Sequence, residues 1–306
     1  MIEFPTGAST PAAIVDTLKA MADASAKVRA IFARGRCVRG TYIPSDRAEE
    51  ITKSRSFAAA SRVLARFSAD GGNLRVTDAA CLTLRGFSFR LGDIDHRSDI
   101  LTQSAPVHYA KTPAQMLAYL KAHLPGPDGR PDPEKLRAFS TANPETSHQA
   151  SYVAAHPLPA SFADTTYWAV HAFPATNQRG ETQFIKFKVV PVGGQGAALT
   201  EDAARTKPEE FLHDDLESRI AARDIRFSLM AVLGRPGDPI LDVTIRWPDE
   251  DRRETVRLGT IVITAIEARD AYVFDPAALA EGIGYPPDEI FAVRRAAYTI
   301  SRARRR

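Results

Sequence analysis

The chain has 306 residues, 44% of them hydrophobic and 25% charged, with a net charge of +3; this suits a globular protein in which one closed barrel with attached helices accounts for the length without a second core. No apolar run approaches the ~20 residues needed to cross a bilayer, and the start MIEFPTGASTPAAIVDTLKAM lacks the basic end and apolar block of a secretory signal. Two cysteines, Cys37 and Cys81, make neither a disulfide framework nor a Cys-x-x-Cys metal spacing, so a cytoplasmic protein without a membrane span is expected.

Residues 10–24 read as a helix with Thr10 as N-cap and Pro11 in the first turn. The run 27–44, rich in β-branched and aromatic residues and punctuated by Gly35 and Gly40, predicts a bent or bulged strand. Residues 61–91 alternate as paired strands do, and a helix is expected from Pro113. Between Gly126 and Pro144 lies a loop with a short helix; 165–194 predicts a hairpin turning at Asn177 to Gly180. Residues 199–223 read as helical with Thr200 as cap, and 224–234 and 245–268 carry apolar strands. In 274–306 two helical runs are expected, the second opening on Pro286-Pro287, whose missing N–H groups cost nothing in a first turn. Hairpin-joined strands with helices between them, rather than strict βαβ alternation, predict an α+β fold: a closed antiparallel β-barrel with inserted and C-terminal helices, a single domain over 1–306.

In that last run Asp288, Arg294, Tyr298 and Arg305 recur at nearly whole turns and share roughly one face. An Arg four residues before a Tyr can donate to the phenolic oxygen, and its charge favours the phenolate, a hard anionic ligand for ferric iron. An amphipathic helix with a half-buried Tyr and solvated arginines would read the same way. The terminal RARRR fits a nucleic-acid tail, a solvated end or a set of anion partners; the last suits Arg305.

The pattern Phe-Asp-Pro, Gly-Ile, Pro-Asp and Arg-x-x-x-Tyr ending at Tyr298 resembles the segment of haem catalases that closes on the iron-binding tyrosine. Further matches are Arg29, Ala33, Gly35 and Gly40; Arg66-Phe67-Ser68; Arg85-Gly86-Phe87; Pro106; His171 with the following Asn-x-x-Gly-Glu; and Trp247-Pro248 with Val-x-Leu-Gly. The resemblance runs from about Arg29 to Arg306 and lacks the arm, wrapping segment and helical region of full catalases, so it is to the catalase-related peroxidase, or minicatalase, branch. It implies haem b iron held by Tyr298, with Arg294 donating to the phenolic oxygen and backed by His171 and Asp288. Arg29, Arg66 and Arg305 match the arginines that meet the haem carboxylates. Five positions depart from the family: Phe32 stands where it has its distal His, Arg34 where it has Lys, Gln103 where it has Asn, His108 where it has Phe, and Met116 where a Phe covers the haem.

Phe32 cannot transfer a proton, and losing a general acid–base commonly costs ~10²–10⁴ in rate. The expectation is therefore a haem peroxidase acting on organic hydroperoxides or a related small oxidised substrate, with little dismutation of hydrogen peroxide. His108 is the candidate for an imidazole near the iron, with Gln103 beside it. The alternatives are a haem carrier or sensor, and an isomerase or dehydratase of the allene oxide synthase kind; a carrier has little need of so complete a support for a tyrosinate. No nucleic-acid partner is expected, no NADPH motif is present, and a homodimer is the assembly considered. His96, His148, His156 and His213 read as surface residues, as does the acidic face of Glu209, Glu210, Asp214 and Asp215.

Overall fold

The computed structural model describes residues 10–23, 27–74, 77–78, 84–268 and 272–305; the rest of the expected 61–91 hairpin, including Cys81, and Arg306 lie outside them. The strands are β1 (Gly35–Pro44), β2 (Ser61–Ala69), β3 (Arg85–Leu91), β4 (Ser98–Gln103), β5 (Tyr167–Trp168), β6 (Phe173–Thr176), β7 (Thr182–Pro191), β8 (Ile225–Leu233) and β9 (Thr255–Ile266). They run antiparallel in the order β5-β4-β3-β2-β1-β9-β8-β7-β6, and a further β5–β7 pairing closes eight of them into a barrel with β6 outside the ring. Closure leaves the barrel strands without the unpaired edges of an open sheet. The helices are α1 (Pro11–Met21), α2 (Ala48–Ile51), α3 (Arg55–Ala58), α4 (Pro113–Ala122), α5 (Pro133–Ala142), α6 (His148–Ala155), α7 (Glu201–Arg205), α8 (Phe211–Ala222) and α9 (Glu289–Ala303).

Alternate residues of the strands fill the interior with rings. Phe67 of β2 stacks on Phe87 of β3 with centroids 4.4 Å apart, and Phe162, Tyr167 and Phe227 surround the pair at 5.6, 6.2 and 5.9 Å from Phe67. Offset and tilted rings of this kind add to their area burial. Gly40 sits where β1 shifts register against β9, and a Cβ there would meet the Val262 carbonyl oxygen at 1.8 Å, so only glycine admits that close approach. A second apolar cluster lies outside the barrel, where Ile14 of α1, Met116, Leu117 and Leu120 of α4, and Ile290 and Val293 of α9 pack together. The gap between these helices and the barrel wall holds the site.

The barrel, the hairpin turning at Asn177 to Gly180 and the caps of Thr10 and Thr200 agree with expectation. Four details differ. Residues 27–34 are not strand, because the carbonyls of Phe32 and Ala33 accept from the Arg66 guanidinium at 2.8 and 2.9 Å instead of from a neighbouring strand. The 199–223 helix is broken into α7 and α8 at Pro208, which has no N–H to continue the ladder. Residues 275–284 form turns, not a first helical run, and Pro286-Pro287 precede α9 rather than opening it, since Asp288 is its N-cap. Phe67 is fully buried. Phe67→Ala should therefore destabilise the protein by about 3–5 kcal/mol, read as a lowered midpoint in urea unfolding with little change in slope.

Candidate active site

The site is built on α9. Asp288 caps it by accepting from the Phe291 N–H at 2.8 Å, and the same carboxylate accepts from His171 Nδ1, at 2.9 and 3.1 Å to its two oxygens. His171 Nε2 accepts in turn from Arg294 Nη1 at 2.8 Å, so one neutral tautomer satisfies both contacts. Burial, helped by the positive Arg294, outweighs the Asp288 carboxylate and holds His171 below the usual imidazole range. Burial alone would raise Asp288, but His171, the Phe291 N–H and Arg294 bring its carboxyl below the usual range. The Arg294 guanidinium carbon lies 6.0 Å from the centroid of the Tyr298 ring. Arg294 thus meets that ring while its Nη1 donates to His171.

Tyr298, Arg294, Arg29, Arg66 and Arg305 line one cavity, whose apolar walls include Leu18, Ile31 and Val170. Arg29 donates to the Tyr272 carbonyl at 2.9 Å and Arg305 to the Ser301 hydroxyl at 2.8 Å. Room for Arg66 comes from Gly35, where a Cβ would sit 2.6 Å from the guanidinium carbon. Phe32 lines the same cavity with φ at +52°, a conformation that costs a bulky residue roughly 1–3 kcal/mol unless its surroundings impose it. Arg66 imposes it by holding two successive carbonyls, and Gly86 makes space for the ring, since a Cβ there would come 3.2 Å from it.

A second cavity adjoins the first, and both are lined by Phe32, Gln103, Arg294 and Tyr298. Its walls add Ile14, Met21, His108, Tyr109, Met116 and Leu120, so His108 and Met116 face this chamber rather than the arginine-edged one. Gln103 donates both amide hydrogens, to the carbonyls of Ala105 at 3.3 Å and Val107 at 2.9 Å, which leaves its oxygen as an acceptor only. His108 is buried, its Nδ1 against the backbone of Ala110; burial first, then the positive Arg294, push its imidazole down to about 3.

Two features escaped the sequence reading. Trp168 and the α1 residues Val15 and Leu18 line the first cavity; the apolar spacing of α1 was the available signal. His213 is not on the surface but buried, with Nδ1 3.2 Å from the buried Asp78 carboxylate, which also pairs with Arg34. The solvated reading of its polar run failed because that carboxylate comes from a distant segment.

The catalase family model matches residues 11–306. The chain belongs to the catalase family. It is 29% identical over 312 residues to the catalase-related peroxidase of Synechococcus elongatus, spanning 99% of this chain and 91% of that protein. It is 28% identical to the catalase-related peroxidase of Mycolicibacterium paratuberculosis, spanning 97% of this chain and 95% of that one. A crystal structure of a fungal catalase superposes with a TM-score of 0.81 at 20% identity, covering 91% of this chain and 59% of the fungal one, which supports the barrel.

The catalase family implies a haem iron as cofactor, and the cavity fits one. Among the described residues no cluster of His, Cys, Asp and Glu could hold a bare metal ion. What the cavity offers instead is apolar walls that would take a macrocycle, guanidinium groups that would meet its carboxylates and a phenol that would hold its iron.

His108 supplies a test that needs no cofactor. It stays neutral when folded down to about pH 3, but protonates below its ordinary 6.5 when unfolded. The unfolded chain therefore binds more protons as pH falls through that window, and stability falls with it, by about 2 kcal/mol from this group between pH 7 and pH 5. Urea unfolding of wild type and His108→Phe at the two pH values measures this, the variant losing about 2 kcal/mol less.

Proposed function

We propose that this protein is a haem b peroxidase that reduces organic hydroperoxides and dismutates hydrogen peroxide slowly. One observation carries the reading: a phenylalanine ring, held in an enforced conformation, lines both chambers of a cavity whose tyrosine, relay and arginines are otherwise complete. The names of the two catalase-related peroxidases support the peroxidase class of activity.

Tyr298 would hold the iron, and the Asp288–His171–Arg294 chain would fix its helix and keep a positive charge at its ring. Arg29, Arg66 and Arg305 would receive the haem carboxylates at one edge of the first chamber. Haem, when bound, supplies the redox-active iron at which a peroxide O–O bond is cleaved. The second chamber, walled by Ile14, Leu18, Met21, Met116 and Leu120, suits the apolar body of an organic hydroperoxide. Phe32 adds to that apolar surface and moves no proton; Gln103, an acceptor only, can receive a hydrogen bond from a hydroperoxide O–H.

His108 is proposed as the remaining proton handler, and a weak one, because a conjugate acid at about 3 lies far from the working range of an efficient acid–base group. A haem carrier would not need a buried His–Asp pair behind the arginine beside its ligand, so the enzyme is preferred. A cytoplasmic setting is proposed with it, in keeping with two cysteines that make no disulfide framework; no helix among the described residues is long and apolar enough to cross a membrane.

Haem-reconstituted protein should consume cumene hydroperoxide in the presence of a reductant while evolving little oxygen from hydrogen peroxide; fast oxygen evolution would overturn the reading. Tyr298→Phe should lose the tyrosinate-type absorption spectrum. Phe32→His should raise oxygen evolution by about 10² with the resting spectrum retained. His108→Phe should keep that spectrum and lower kcat on cumene hydroperoxide, and an unchanged kcat would remove His108 from the mechanism.

A further inference from the structure

Among the described residues that line the second chamber there is one carboxylate, Asp70, and one guanidinium, Arg294. They belong to different parts of it. Arg294 lines both chambers and donates to His171 beside the Tyr298 ring, so its charge sits at the junction where the iron would be held. Asp70 lines the second chamber only, on the turn that follows β2. That turn is firmly seated. The Asp70 N–H donates to the Leu84 carbonyl and the Ala33 N–H to the Gly71 carbonyl, each at 2.9 Å, and Asp70 Oδ1 accepts from the Gly71 N–H at 2.8 Å.

A row of rings along one wall gives the order of the two charges. His108, Tyr109, Tyr119 and His123 follow one another with centroids 4.2, 4.4 and 4.0 Å apart, and all four line the chamber. Burial first, then Arg294, lower the His108 imidazole. Burial raises both phenols: at Tyr109 the Tyr119 phenol and Asp70 add to it while Arg294 opposes it, and at Tyr119 Asp70 adds to it. The guanidinium thus bears on the row from its His108 end and the carboxylate from its Tyr119 end. His123 adds an acceptor to the negative end, because its Nδ1 donates to the Tyr119 carbonyl at 2.8 Å, which in the neutral ring leaves Nε2 free to accept.

We propose that the second chamber selects hydroperoxides that carry a cationic group, such as an ammonium, remote from the O–O bond, and that Asp70 sets this preference. The proposal rests on the peroxidase reading for its reaction and names the substrate class of that same site. The peroxide group would lie toward Tyr298, the apolar middle against Ile14, Met116 and Leu120, and the cation toward Asp70 and His123. A carboxylate in the cation's place would face a like charge in a half-dry chamber, where repulsion is stronger than in bulk water. Anionic hydroperoxides, such as those of fatty acids, are thereby disfavoured.

The test compares three hydroperoxides of one shape on haem-loaded protein supplied with a reductant: cumene hydroperoxide and its para-aminomethyl and para-carboxyl derivatives. In wild type at low ionic strength kcat/KM should be about tenfold higher for the ammonium compound than for the carboxylate, the difference residing in KM and narrowing with added salt. Asp70→Asn should bring that ratio to within about twofold of one. The alcohols corresponding to the two charged compounds, titrated calorimetrically into the same proteins, should bind in the same order, and this readout needs no turnover. A wild-type ratio near one or in favour of the carboxylate, or a ratio that Asp70→Asn leaves unchanged, would overturn the proposal, while consumption of cumene hydroperoxide keeps the peroxidase reading intact. If no hydroperoxide is consumed the peroxidase reading falls; tighter binding of the ammonium alcohol, lost in Asp70→Asn, would then still support the cation site, and equal binding of the two alcohols would overturn it as well.

Discussion

The hydrogen-bonded chain from Asp288 through His171 to Arg294 ties the site to the fold. Its first member caps α9 and its second stands just before β6 on the barrel, so one buried carboxylate fixes both where the helix starts and how it faces the barrel. The depth of the chain makes it demanding as well as strong. A carboxylate that is almost wholly buried needs every partner it has, because removing one leaves a desolvated charge without compensation. The helix that carries Tyr298 therefore has little freedom to turn without breaking a contact that water cannot replace.

Opposite α9 the constraint is one of shape. Arg66 reaches from β2 to two successive carbonyls of the 27–34 segment, and that grip converts a run with strand-forming composition into a bent loop. The left-handed backbone at Phe32 is a consequence of the grip, since nothing about phenylalanine favours it. Two glycines make the arrangement possible, one beneath the guanidinium and one beneath the ring. The ring that lines both chambers is thus held by the same arginine that edges the cavity.

Periodicity showed the barrel, because alternation and hairpin turns are local signals, and it showed the shared face of Arg294, Tyr298 and Arg305 for the same reason. A motif was needed for His171, which is 117 residues from Asp288 and meets it only in three dimensions. Neither kind of signal could show that residues 27–34 leave the sheet, since the deciding partner, Arg66, is 34 residues from Phe32. His213 was misread for a similar reason: a polar run looks solvated until a carboxylate from elsewhere closes over it. Nor does spacing along the chain reveal that His108 and Met116 belong to the second chamber, which exists only where α1 and α4 pack outside the barrel.

Burial lowers both imidazoles of this region, with opposite consequences. For His171 a low pKa is useful, because a neutral ring can accept from Arg294 and donate to Asp288 at once, which an imidazolium cannot do. For His108 the same desolvation, reinforced by the charge of Arg294, weakens the group as a base. The two effects share a source: the arginine that the relay holds in place is also the nearest large charge to His108. An intact support for the tyrosine and a poor proton acceptor in the adjoining chamber are therefore linked properties of one dry pocket. An organic hydroperoxide, the proposed substrate, would gain in such a pocket from apolar contact what the chemistry would lack in acid–base help.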